Sequence, residues 1–97
     1  MTTENKAIVL EMLKVDLGIS TDAYDNRLNQ YIEMAVENIQ REGIKLEETV
    51  EDNSLVAIYS AWMWRKRDTG EGMPRMIRYN LNNKLFSQRL KGDEADG

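Results

Sequence analysis

Two tryptophans and three cations stand together in SAWMWRKR, as Trp62, Trp64, Arg65, Lys66 and Arg67. Successive side chains of a helix turn by about 100°, so the two indoles point about 200° apart and one face cannot bury both. The spacing predicts a segment packed on two sides: one indole against its own domain, the other, at Trp64, against something else. A tryptophan folded onto a neighbouring loop of the same chain is the plainer alternative. A second group lies in PRMIRYNLNNK, where Tyr79, Asn80, Asn82 and Asn83 are side chains able to reach base edges. Both groups point to recognition rather than to bond-making chemistry.

The residue types that are missing say the same. Histidine and cysteine are absent, which removes the usual general base, the commonest metal ligand, thiolate ligands and disulfides. Carboxylates are plentiful, yet none stands beside a glycine-rich turn or another recognisable site context. The expectation is no catalytic residue, no metal, no cofactor and no enzyme. MTTENK leads no apolar run and predicts no secretory signal. Uninterrupted apolar stretches are far too short to span a bilayer.

Charge is segregated along the chain. Residues 1–54 hold twelve acids and five bases, residues 55–91 hold two acids and eight bases, and GDEADG adds three acids. An acidic front and a basic back suit head-to-tail contact between identical subunits, as they suit nucleic acid. Solvated helix faces that happen to segregate would look the same.

Four helices must position these groups. The first is predicted over Thr3 to Leu17, where Ala7, Ile8, Met12 and Val15 overlap with Val9, Leu13 and Leu17 at helical spacing. Gly18 is a natural left-handed stop, with Ile19 folding back on Leu13. Ser20 or Asp22 is the expected cap of the second helix, whose stripe Tyr24, Leu28, Tyr31, Ile32, Ala35, Val36, Ile39 runs on to a stop at Gly43. IKLEETVED reads as a connector with at most one short extended stretch. Asp52 or Asn53 is then the expected cap of a third helix from Ser54 to about Arg67 or Asp68, with Leu55, Ile58, Tyr59, Trp62 and Met63 inward. Thr69, Gly70, Glu71, Gly72 and Met73 make a glycine-rich loop, and Pro74 opens a fourth helix at its first position, running to about Leu90 on Ile77, Leu81 and Leu85. The prediction is an all-α fold, a small four-helix bundle. One helical domain over 1–91 would carry an acidic, flexible C-terminal tail over 92–97.

The order of these parts resembles the head–tail connector (adaptor, or head completion) proteins of tailed bacteriophages. The resemblance rests on VLEMLKVDLGISTDAYDNRLNQYIEMAVENIQREGI and EDNSLVAIYSAWMWRKRDTGEGMPRMIRYNLNNKLF. Leu17, Ile19, Asp22, Asp25, Leu28, Ile32 and Ala35 mark the passage from a leading helix into a long second one. It covers about residues 7–90, and it lies in the order and spacing of helices and stops rather than in any catalytic signature. It implies a structural virion subunit, made in the host bacterial cytoplasm. In this role it would form a homo-oligomeric ring under the portal protein once DNA packaging is complete. Genomic DNA would pass through its channel without specific binding, and a tail or head-completion protein would dock on it.

Matching that role to residues gives three expected patches. A ring needs two different complementary surfaces per copy. One is expected on the third helix at Ala57, Ala61 and Trp64, whose neighbours Arg65, Lys66 and Arg67 would meet Glu33, Glu37 or Glu42 of the next copy. Thr69 to Met73 is the expected lumen-facing or docking loop. Arg75, Arg78, Arg89 and Lys91 are expected to dock an acidic rim of the portal. The competing readings are a small nucleic-acid-binding helical module, reading bases through Tyr79 and its asparagines, and a generic protein–protein adaptor.

Overall fold

A computed structural model describes residues 1–96, and side chains through residue 92. Four helices follow in order, α1 Thr3–Leu17, α2 Asp25–Arg41, α3 Val50–Thr69 and α4 Arg75–Asp96, with no strand among the described residues. The fold is all-α, as the periodicity predicts, and the connector 44–49 is irregular rather than extended into a sheet.

Helix α1 begins where the Thr2 hydroxyl accepts the N–H of Asn5 at 3.1 Å. It stops at Gly18, whose φ of 71° is open to glycine at no cost. There the Gly18 N–H reaches the Val15 carbonyl and the Ile19 N–H the Lys14 carbonyl, at 3.2 and 2.9 Å, which is the Schellman pattern.

Helix α2 departs from the expected capping. Neither Ser20 nor Asp22 caps its first turn, and its N-terminus has no side-chain cap. The Asp22 carboxylate is engaged elsewhere, 3.0 Å from the Lys14 ammonium, which also pairs with Asp25 at 2.9 Å. Hydrogen bonds to Asp25 and then Asp22 hold the Lys14 ammonium above its usual pKa of 10.5. The helix closes at Gly43, φ 96°, and Ile44 joins Ile39 in the core.

Helix α3 starts four positions earlier than Ser54. Thr49 is the cap, its hydroxyl accepting the Asp52 N–H at 3.1 Å, while the Asp52 carboxylate reaches back to the N–H of Glu47. Asp52 and Asn53 are therefore not caps; they are inside the first turns and buried. Asn53 exchanges two hydrogen bonds with Asn5 of α1, at 2.7 and 2.9 Å, so both buried amides are satisfied. Asp52 forms an ion pair with Lys84 of α4 at 2.6 Å.

Helix α3 is the hub on which α1, α2 and α4 all pack. Val9 and Leu13, then Leu28, Ile32, Ala35 and Ile39, close against Leu55, Val56, Tyr59 and Met63. Each large aliphatic side chain fully buried in this way contributes about 1.5–3 kcal/mol.

Among the described residues, helix α4 buries only Ile77 and Leu81 in that core. Its carbonyl bonding begins at Pro74, which accepts the Ile77 and Arg78 N–H groups at 3.1 and 3.3 Å. Pro74 thus precedes the helix rather than occupying its first position. Polar contacts set its register: Gln88 accepts the Lys45 N–H at 2.9 Å and donates to the Lys45 carbonyl at 2.7 Å. Arg78 forks onto Glu42 at 2.6 and 3.1 Å. A Cβ at Gly43 would meet the Leu85 Cδ1 at an ordinary 3.6 Å, so it is the φ of 96° that asks for glycine there. The backbone of α4 continues through Asp96, past the predicted end at Leu90. Of the expected acidic tail over 92–97, the side chains from 93 and the whole of residue 97 lie outside the described residues.

Candidate assembly surfaces

Trp64 and Trp62 both find partners within the chain, on opposite sides of α3. Tyr24 and Tyr31 of the α2 region meet the Trp64 ring edge-on, with centroids 5.9 and 5.7 Å away, and the Arg67 guanidinium lies 3.8 Å above it. Trp62 stands edge-on to Tyr59 at 5.5 Å, beneath the Lys66 ammonium at 4.3 Å. Its indole N–H donates to the Gly72 carbonyl at 3.1 Å. The angular argument holds, since the rings do diverge, but α3 has a neighbour on each flank to receive them. Both are half-buried.

The small residues beside them face inward. Ala57 and Ala61 are buried, at 4% and 0% exposure, so they make no close-approach patch for another copy. Several charges expected to meet a neighbour are used internally. Arg65 binds the Asp16 carboxylate at 3.1 Å and the Asp16 carbonyl at 3.2 Å. Glu33 pairs with Lys6, Glu37 with Arg41, and Glu42 with Arg78. That last pair joins one residue expected at the subunit contact to one expected at the portal, and the hydrogen bond from Arg78 to Glu42 raises the guanidinium pKa further.

Thr69 to Met73 form a short, mostly exposed crossing between α3 and α4. Gly70 takes the left-handed stop, φ 68°, donating to the Lys66 carbonyl at 2.7 Å, and Thr69 accepts the Glu71 N–H at 3.3 Å. Met73 packs partly against the core. Arg75, Arg89 and Lys91 are exposed on α4 and make no ion pair among the described residues. Tyr79, Asn80, Asn82 and Asn83 are likewise exposed.

A different feature emerges on the outward side of α4. Met76, Tyr79, Phe86 and Leu90 are exposed, the first three by about two thirds (68, 66 and 65%), and they recur with Asn83 at alternating spacings of three and four. They lie opposite Ile77, Leu81 and Leu85, so the helix is apolar on two sides. The PRMIRYNLNNK reading attended to hydrogen-bonding groups and passed over this stripe, although its three-four spacing is present in the sequence. Helix α1 has an outward apolar side as well, with Ile8 half exposed and Val15 at 80%.

Between α3 and α4 runs an open groove of about 690 Å³, bordered by Glu47, Glu51, Ser54 and Ile58 on one wall and by Asn80, Asn83, Ser87 and Lys91 on the other. Its lining is mixed, with no concentration of titratable groups of one kind. No group of three or more acidic residues among those described is placed to hold a metal ion. No described helix is long and apolar enough to cross a membrane.

Comparison with known proteins adds one finding and two blanks. No curated protein and no solved structure matches this chain. Residues 7–59 match the family model described as phage gp6-like head-tail connector protein. That span takes in most of α1, all of α2, the connector and the first half of α3, more than half of the chain. The chain therefore belongs to the phage head-tail connector family and is a structural component of the junction between head and tail.

Proposed function

We propose that copies of this chain close into a ring beneath the portal after packaging, extend the DNA channel, and offer the next tail component a docking surface. The family match from α1 through α2 to the first half of α3 carries this reading. Apolar surface left over outside a completed core supports it, because exposed patches of this kind mark contact with other proteins. In this reading residues 1–91 are the connector domain and 92–97 its acidic tail.

Portal contact falls to the C-terminal turns of α4, where Arg89 and Lys91 are exposed and present positive charge to an acidic rim. Thr69 to Met73 serve as the docking loop for the tail side. DNA slides through without being read, since tight cationic contacts would retard it and would weaken steeply with salt. Negative-stain microscopy of the purified protein, with and without portal, tests the proposal. Rings on portal particles are the expected outcome. Discrete monomers that retain duplex DNA in a salt-dependent way, with no rings on portal, would replace it with the nucleic-acid module.

A further inference from the structure

We propose that the outward face of α4 in one copy seats on the outward face of α1 in the next, so that these two helices form the heterologous joint between copies. This rests on the ring reading above and assigns its surfaces.

Three observations lead here. The first is size. Met76, Tyr79, Phe86 and Leu90 together expose on the order of 500 Å², a patch on the scale that marks interaction sites rather than scattered surface residues. Their three-four spacing makes a straight seam along the helix, the arrangement that accepts another helix lengthwise.

The second is charge. From Arg75 to Gly92 the helix has no acidic residue, and Arg75 and Arg89 edge the seam. A second copy of α4 would bring cation against cation. The α1 face is the opposite: Ile8 and Val15 alternate with Glu4 and Glu11, all exposed. The cations of α1 do not offset those acids, because Lys6 is paired with Glu33 and Lys14 with Asp22 and Asp25. Apolar-and-basic against apolar-and-acidic is a complementary pair, whereas α1 against itself sets acid against acid and α4 against itself in parallel sets cation against cation.

The third is placement. α1 and α4 both pack on α3 and make no extensive contact with each other. Ile58 of α3 shows between them, bordering Met12 and Asp16 on one side and Asn80 and Asn83 on the other. Two complementary faces on separate flanks cannot satisfy one another within a copy. They join copies head to tail, and a head-to-tail contact propagates into a ring when its rotation closes.

The absence of cysteine makes the test direct. Val15→Cys and Phe86→Cys place one thiol on each face, both at positions exposed enough to leave the fold alone. The two variants, singly and mixed, are treated with a flexible bis-maleimide at the highest attainable concentration while light scattering follows the oligomer. A covalent dimer from the mixture, and from neither variant alone, is the expected result. Dimer from Phe86→Cys alone would mean that α4 pairs with itself. Oligomers without any crosslink would leave the ring standing and place its joint elsewhere. Monomers throughout, with no crosslink even on added portal, would remove the ring reading and this one together.

Discussion

Along α2, Leu28, Ile32, Ala35 and Ile39 are sealed from solvent at steps of four, three and four, whereas α4, although longer, seals only Ile77 and Leu81 among the described residues. The difference is made up by directional contacts. Lys84 reaches Asp52, Gln88 brackets the backbone of Lys45, and Arg78 forks onto Glu42. Apolar burial holds a helix in place without caring much about small slides along its axis. Paired hydrogen bonds and ion pairs fix register, at a smaller net gain for each. The α1–α2–α3 region is thus held by volume, and α4 by address. A connector needs the second kind of attachment wherever a surface must arrive at a partner in one orientation.

Four measurements sharpen or break that contrast. Ile32→Ala empties a fully enclosed site and is expected to lower unfolding free energy by about 4 kcal/mol in urea titration. A loss under about 1 kcal/mol would mean that the interior relaxes around α2 as loosely as around α4. Asp52→Ala strands the Lys84 ammonium and frees the Glu47 N–H, at a cost of about 3 kcal/mol. Hydrogen exchange should show α4 amides opening early in that variant while α1 and α2 stay protected. Uniform loss of protection would make the two regions one cooperative unit. Gln88→Ala removes the bracket on Lys45 and is expected to cost about 1 kcal/mol, confined to α4 and the connector.

The smallest effect is one of pH. Lys14, held by Asp25 and Asp22, has its pKa raised from 10.5. Its ion pairs therefore contribute fully below the unfolded-state value and are lost as pH climbs through the folded one. The stability gap between wild type and Lys14→Met should stay flat from neutral pH to about pH 10 and narrow above it. A gap that closes well below that range would place its origin in packing rather than charge.

Much of this architecture can be read in the residues, and the failures share a cause. Helix α1 is legible end to end because Gly18 stops it and Leu13 lies where Ile19 can fold back. Helix α3 is misjudged at its start because Asp52 and Asn53 look like caps, whereas Thr49 followed three positions later by Asp52 is the better capping pattern. The candidate site suffers more. Wheel geometry treats α3 alone and leaves Trp64 over, although α2 supplies Tyr24 and Tyr31 to receive it. Charge segregation counts Arg65, Arg78 and Glu42 as available, yet Arg65 finds Asp16 and Arg78 finds Glu42 across 49 and 36 residues. No local periodicity foretells such pairings, because they depend on how finished helices meet.

Trp62 ends in an N–H shared between the carbonyls of Gly72 and Glu71, at 3.1 and 3.4 Å. That tether makes the crossing between the last two helices self-reporting. Any event that pulls Glu71 and Gly72 away strips the indole of its acceptors and changes the polarity around the ring. The colour of emitted light then shifts with no dye attached. Trp64, boxed in by two tyrosines on the far flank of the same helix, is the built-in steady reference. Exchanging it for phenylalanine would leave one lamp, wired to the segment proposed to greet the tail.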